Sequence, residues 1–458
     1  MFIVLSLFSL GLFLAGCVPA SFSRARGRVL EQVGLAVGLG ILIDYCLVLT
    51  GQRLTLVLAA GIVLASWGAV RLLRDLAIRR KDGLGRGWMT VATAGLIGAL
   101  LTVYYLQIVS EPLLRWDARS IWFFHARMIW LEGALRQHTG LAHPSLAFSH
   151  PDYPELVPAL AAQLAHVRGF WNEFFPKSSL VVMLVPLVFW VFSFHKNSVS
   201  FLLLVLVCFF SLDAWLWNGY MDGYLAMYCG IGLLLFGRYL SEGRDTDLYS
   251  AMCALGIAAC LKNEGLLFVS CFGLALLWMN VGRPRLFVRQ VARRLRRDSH
   301  LVTVLLLAMA PTVMWTIWRH AWTLQNDLTA DVPGSLWRLS SRVADGVSLL
   351  HVLDYLVLRA TAIWMVAGLL ALTAAFSIHQ RLTLHHGAIL AATTSVLYVC
   401  GISIAYMGTP LDLDFHLSTS AGRTMATASM GLLVCLFFLL SDLEAGERPA
   451  ETATSSSN

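Results

Sequence analysis

Apolar runs of about 20 residues, separated by short polar gaps, recur along almost the whole chain. That is the length an α-helix needs to cross the hydrocarbon core of a bilayer. In lipid the backbone polar groups need partners within the element itself, so the runs read as helices. Of the 458 residues, 58% are hydrophobic and only 13% charged, against about 25% charged in a soluble domain. A chain this apolar cannot cover itself with polar surface, and lipid has to solvate it. The expected fold is all-α: a polytopic transmembrane helical bundle of about 11–13 spans, with an outer-face loop and amphipathic interfacial helices.

Spans are expected near 2–20, 31–50, 54–73, 88–110, 178–194, 198–217, 222–240, 301–320, 360–378, 387–406 and 425–441. The stretch 249–280 is too long for one span and short for two, and Lys262-Asn263-Glu264-Gly265 breaks it. It reads as two short helices meeting at a polar apex, which is tolerated at membrane depth only against protein or a water-filled cavity. Leu14-Ala15-Gly16-Cys17 resembles a lipoprotein cleavage box, but no basic residue precedes the apolar core, so the segment reads as a first span.

The net charge of +7 is carried in clusters. Arginines follow the first span (Arg24, Arg26, Arg28), the third (Arg71 to Arg86) and the broken pair (Arg283 to Arg297), and these loops hold nearly half of the 34 Lys and Arg. Basic residues in short loops set orientation rather than a nucleic-acid surface, so no nucleic-acid partner is expected. With thirteen spans the arginine loops fall in the cytoplasm and the N-terminus outside. Segments 111–177, 218–222, 321–359 and 407–424 and the apex 262–265 then share the outer face. The nine cysteines lie in or beside apolar runs, without metal-ligand spacing. The tail 442–458 is rich in Ser, Thr, Ala and Glu and reads as a disordered cytoplasmic end.

Chemistry is therefore expected on the outer face. Arg115-Trp116-Asp117-Ala118 opens the first large outer loop. A carboxylate beside the bilayer is costly unless solvated or paired. Asp117 can deprotonate an acceptor or hold a divalent cation, or serve as a helix cap or a partner of Arg115 or Arg119. Residues 118–138 read as an interfacial helix with Trp122, Phe123, Trp130 and Leu131 toward lipid. His150-Pro151-Asp152-Tyr153-Pro154 holds an extended backbone suited to presenting polar groups, although Asp152 also suits a helix cap. Asp222 opens the next apolar helix, where Asp also serves as an N-cap. Lys262 suits either an ion pair with Glu264 or an anionic head group. In the last outer loop, His416-Leu417-Ser418-Thr419-Ser420 leads to Arg423, which suits a phosphate or snorkels. Trp315, Trp318 and Trp322 read as an aromatic belt. No Gly-rich nucleotide loop and no nucleophile-elbow serine is visible.

In this order, Trp116-Asp117-Ala118, His150-Pro151-Asp152-Tyr153-Pro154, Asp222, Lys262-Asn263-Glu264-Gly265 and His416 to Ser420 with Arg423 resemble the multi-spanning glycosyltransferases of the GT-C class. The likeness is to relatives of protein O-mannosyltransferases and aminoarabinose transferases, and it covers about residues 110–430. It implies transfer of a sugar from a polyprenyl-phosphate carrier to an envelope lipid, glycan or protein, in a bacterial inner membrane with the site facing the periplasm. It further implies Asp117 and Asp222 as catalytic acidic residues. Lys262, Glu264, His150, Asp152, Tyr153, His416 and Arg423 would contact substrate, with a divalent metal left open. Residues 1–110 would be extra N-terminal spans and 111–441 the catalytic module, because the family's first acidic motif follows the first span and here follows the fourth. A glycan polymerase or ligase working from a polyprenyl diphosphate and a lipid or solute transporter are the competing expectations.

Overall fold

The computed structural model describes residues 2–19, 29–79, 88–136, 143–194, 213–324, 330–358 and 385–446, with a few isolated residues between them. The protein is an all-α polytopic membrane protein. Among the described residues seven helices are long and apolar enough to cross a bilayer, and there are shorter apolar helices as well.

Four helices open the chain: α1 (Phe2–Gly16), α2 (Val29–Val48), α3 (Leu54–Arg79) and α4 (Trp88–Ser110). Then come α5 (Phe123–Glu132), α6 (Leu156–Arg168) and α7 (Ser179–Phe192). The centre is α8 (Asp222–Glu242), followed by α9 (Asp245–Ala259) and α10 (Asn263–Met279). After α11 (Pro284–Arg297) and α12 (Ser299–Ala321) come α13 (Val332–Asp345) and α14 (Val347–Leu353). The chain closes with α15 (His386–Gly408) and α16 (Leu413–Gly446). The expected spans at 198–217 and 360–378 fall largely outside the described residues, and the tail from 447 lies wholly outside them.

Burial sorts these helices. Every residue of α8 from Asp222 to Arg238 is buried, as expected of a helix that is apolar all round. It packs against α7, α9, α10, α15 and α16. The rim helices α3, α4 and α12 leave most of their apolar side chains open, Ile62 and Val103 among them. That much continuous apolar surface belongs against lipid. Helices meet closely through small residues: a Cβ on Gly40 of α2 would overlap the carbonyl oxygen of Leu12 on α1.

The break in 249–280 lies at Cys260-Leu261-Lys262, so Asn263, Glu264 and Gly265 form the first turn of α10. The hairpin is tight enough that a Cβ on Gly265 would overlap the carbonyl oxygen of Ala258. The last polar segment is helical rather than a loop. It starts at Leu413, where Asp412 accepts from the Phe415 N–H at 2.9 Å, and no proline interrupts it before Arg423. The helix also continues to Gly446, past the expected tail boundary at 442.

The two ends of the bundle differ. Apolar helices run between a site end, holding 49–53, 111–136, 143–177, 218–221, 260–262, 322–324 and 330–331, and an arginine end, holding 243–244 and 280–298. A buried charged cluster sits at the arginine end. Arg238 of α8 donates to Glu31 of α2 at 2.5 Å and to Asp247 of α9 at 2.6 Å, with its guanidinium 3.8 Å over the Phe194 ring. Within the helices, Asp44 of α2 accepts from the Gln163 side chain at 2.7 Å.

Candidate functional site

Five charged side chains from four separate segments meet at the site end. Asp117 stands one residue before a π-helical turn, Ala118–Trp122, and makes no helix-capping hydrogen bond. Its Oδ2 is paired with Nη1 of Arg423, 306 residues away in sequence. The same Nη1 lies 3.6 Å from Asp222 Oδ2. Lys262 Nζ bonds Asp222 Oδ1 at 2.9 Å and approaches Glu264 Oε1 at 3.0 Å. Asp222 does not cap α8 either, since its carboxylate faces Lys262.

The result is an alternating chain, Asp117–Arg423–Asp222–Lys262–Glu264, with three carboxylates against two cations. Exposure divides it: Asp222 and Lys262 keep 4% and 8% of their side chains accessible, whereas Asp117, Arg423 and Glu264 keep 16%, 22% and 22%. The buried pair therefore lies beneath, and the other three form the accessible edge. Desolvation pulls the Lys262 ammonium down, but the Asp222 and Glu264 carboxylates outweigh it and hold it well above the usual lysine value.

The His-Pro-Asp-Tyr-Pro segment closes one side. His150 takes a left-handed backbone conformation (φ 50°), uncommon for a side-chain-bearing residue. The turn it starts stacks the His150, Tyr153 and Trp122 rings, with centroids 5.1 and 5.5 Å apart. Lys262 Nζ is 5.7 Å above the Tyr153 ring, and the Arg423 guanidinium is 4.8 Å above Tyr220. Asp152 caps no helix. Its Oδ2 accepts from Asn263 at 2.5 Å and from Asn326 at 3.0 Å, and its backbone oxygen accepts from Trp315 Nε1 at 3.2 Å. Burial pushes the Asp152 carboxyl up from the ordinary carboxylate value, against the two amides and His150, which favour the charged form.

Trp122 and Phe123 are buried rather than lipid-facing, because the helix turns that face onto the 150–153 segment and the 218–221 turn. Trp315 and Trp322 are buried as well, and Trp318 Nε1 donates to Leu49 O at 2.7 Å, so this trio ties loops together instead of marking a lipid interface. His416 stands apart from the charged chain. Its Nδ1 lies 3.0 Å from Thr409 Oγ1 and its ring packs on Tyr406, two turns along α16 from Arg423.

Residues not anticipated as supports are Asn326, Tyr220 and a buried group behind the 144–155 segment. There His125 Nε2 lies 3.0 Å from Ser149 Oγ, and Nδ1 lies 2.8 Å from Glu155 Oε1. The second contact is an electrostatic one rather than an aligned hydrogen bond, since neither Glu155 oxygen has an aligned donor among the described residues. Glu155 directly follows the Pro-rich segment, and that adjacency is the one local sign of its role.

Among the described residues no group of three His, Cys, Asp or Glu side chains is gathered to hold a metal ion. The carboxylates of the network are countered by Arg423 and Lys262. No disulfide joins two of the described cysteines. Comparison with protein-family models, with curated proteins and with solved structures gave no match.

The buried Asp152 carboxyl carries a pH prediction. Because its folded value is raised, the folded state keeps the proton where the unfolded chain has lost it. Its contribution to stability is largest in acid and falls as pH rises from the unfolded value of about 3.9 through the folded one. Asp152→Asn keeps the amide contacts without the ionisation. The melting temperature of this variant minus that of the unaltered protein is expected to increase from pH 4 toward neutrality, and a pH-independent difference would show that the carboxyl ionises freely.

Proposed function

We propose that the protein is a membrane glycosyltransferase that moves a sugar from a polyprenyl monophosphate to an envelope lipid, glycan or protein. The observation that carries the reading is the convergence of Asp117, Asp222, Lys262, Glu264 and Arg423 from distant segments into one charged network at one end of an apolar bundle. Buried charge in a membrane protein is costly and is kept where it acts. The resemblance of the motifs bearing these residues to GT-C enzymes supplies the reaction class. In this reading the site end faces the periplasm of a bacterial inner membrane, and the arginine end faces the cytoplasm.

In the reaction an acceptor hydroxyl or amine attacks the anomeric carbon. The new bond forms as the bond from that carbon to the phosphate oxygen breaks, and the electron pair leaves with polyprenyl phosphate. The acceptor proton passes to Asp117. Arg423, on the accessible edge, meets the leaving phosphate and stabilises the charge that develops there. As phosphate engages Arg423, the hold of that guanidinium on Asp117 weakens, which raises the basicity of the carboxylate when it is needed. Asp222 and Lys262 lie beneath and fix the position of Arg423. The stacked rings of His150, Tyr153 and Trp122 close one side of the site as a rigid wall.

The test is turnover in nanodiscs with a mixture of polyprenyl-phosphate sugars and an envelope extract, followed by mass analysis of the lipid products. Release of polyprenyl monophosphate with a mass gain on an acceptor is expected. Release of a diphosphate carrier would favour a polymerase or ligase. Movement of an unmodified solute with no new product would favour a transporter.

A further inference from the structure

The arginine end carries an element that the charged network does not explain. The helix α11 has no buried residue along its 14 residues. At 3.6 residues per turn Phe287, Val288, Val291 and Leu295 fall on one strip, and Arg285, Arg289, Arg293 and Arg296 fall on the opposite one. Val288 and Val291 are 61% and 41% exposed, Phe287 is half-buried, and Leu295 packs partly against the core. Arg294 pairs with Asp245 and lies 3.7 Å from Asp298, whereas the other arginines from 283 to 297 have no acidic partner among the described residues. No Asp or Glu occurs between Glu264 and Asp298.

Both ends of α11 are tethered. Four residues separate it from the apolar helix α10, and one residue separates it from the membrane-crossing helix α12. It therefore cannot move far from the bilayer boundary. Beside its basic strip lies an open groove of about 610 Å³, lined by Arg293, Arg297 and His300 and also by Asp245 and Asp298, which Arg294 counters.

We infer that α11 lies in the headgroup layer and docks anionic phospholipid. Its apolar strip enters the acyl boundary, and its unpaired arginines bind lipid phosphates along the helix and in the adjoining groove. The charge complementarity selects an anionic surface. The apolar strip and the two tethers select a membrane over a soluble acidic partner. This inference is independent of the chemistry assigned to the opposite end.

The experiment uses the full chain in nanodiscs of phosphatidylcholine, with and without phosphatidylglycerol, and measures amide hydrogen exchange over 284–297. Exchange is expected to slow at least tenfold in the anionic discs. The triple variant Arg285→Gln, Arg289→Gln, Arg293→Gln is expected to lose that difference, and its preference for phosphatidylglycerol, read from co-purified lipid, is expected to drop by on the order of a hundredfold. Its melting temperature should not change, because none of the three side chains is buried. Equal exchange in the two discs would overturn the proposal. So would full protection in phosphatidylcholine discs on adding glycerol phosphate or an acidic protein, which would make the surface a site for a soluble anion or a protein.

Discussion

Asp117→Asn is expected to lower sugar transfer by about 10²–10⁴, the range for removing a general base, in a protein that still inserts and melts near the unaltered temperature. Asn preserves shape and accepts a hydrogen bond from Arg423, but it takes no proton in the transition state. Asp117 makes no capping hydrogen bond and keeps part of its side chain accessible. Its loss therefore leaves no helix end uncapped and no buried charge stranded on its own side of the pair. Arg423 stays countered by Asp222 at 3.6 Å. Transfer should be measured on purified protein at saturating donor, beside a melting curve. If Asp117→Asn transfers at near the unaltered rate, the carboxylate only anchors Arg423, and the base lies elsewhere in the network.

The largest effect on stability is expected at Lys262. Its ammonium is the direct hydrogen-bonding partner of a nearly inaccessible Asp222 and also contacts Glu264. Lys262→Met leaves Asp222 with only the more distant Arg423, and stranding a buried charge costs about 3–5 kcal/mol. Adding Asp222→Asn removes the stranded charge and is expected to restore much of the loss. The cycle of two single variants and the double variant isolates the coupling. Additive losses would show that the two side chains do not depend on one another. Because the folded lysine is held well above its ordinary value, its stabilising contribution is complete below about pH 10.4 and is lost only as pH rises through the folded value. The cycle should therefore give the same coupling at pH 6 and pH 8.

Much of this architecture is legible in the order of residues. Spans such as 54–73, 88–110 and 222–240 start within a residue or two of α3, α4 and α8, because the apolar period and the flanking charges mark them. The helix break near Lys262 is legible for the same reason. Other features have no local signature. Trp122 and Phe123 sit on the apolar strip of an amphipathic stretch, and that strip has the same period whether it meets lipid or protein. The segment from Asp412 to Arg423 is polar enough to suggest a loop, yet it has a cap at its start and no proline within it, and so it is helical. The contact of Arg238 with Glu31 spans 207 positions, and that of Asn326 with Asp152 spans 174, distances over which only the fold brings partners together.

The two buried ion clusters bear on motion as well as on stability. Asp222 and Arg238 sit near opposite ends of the same enclosed helix, sixteen residues or roughly 24 Å apart. Each is bonded to a different neighbour: Asp222 to the hairpin apex at Lys262, and Arg238 to α2 and α9. A piston stroke of α8 along its own axis, or a roll about it, would pull both clusters apart at once, and breaking each costs about 3–5 kcal/mol. The central helix thus behaves as a fixed axle. Larger rearrangements fall to the rim helices α3, α4 and α12, which carry no such buried ion cluster among the described residues.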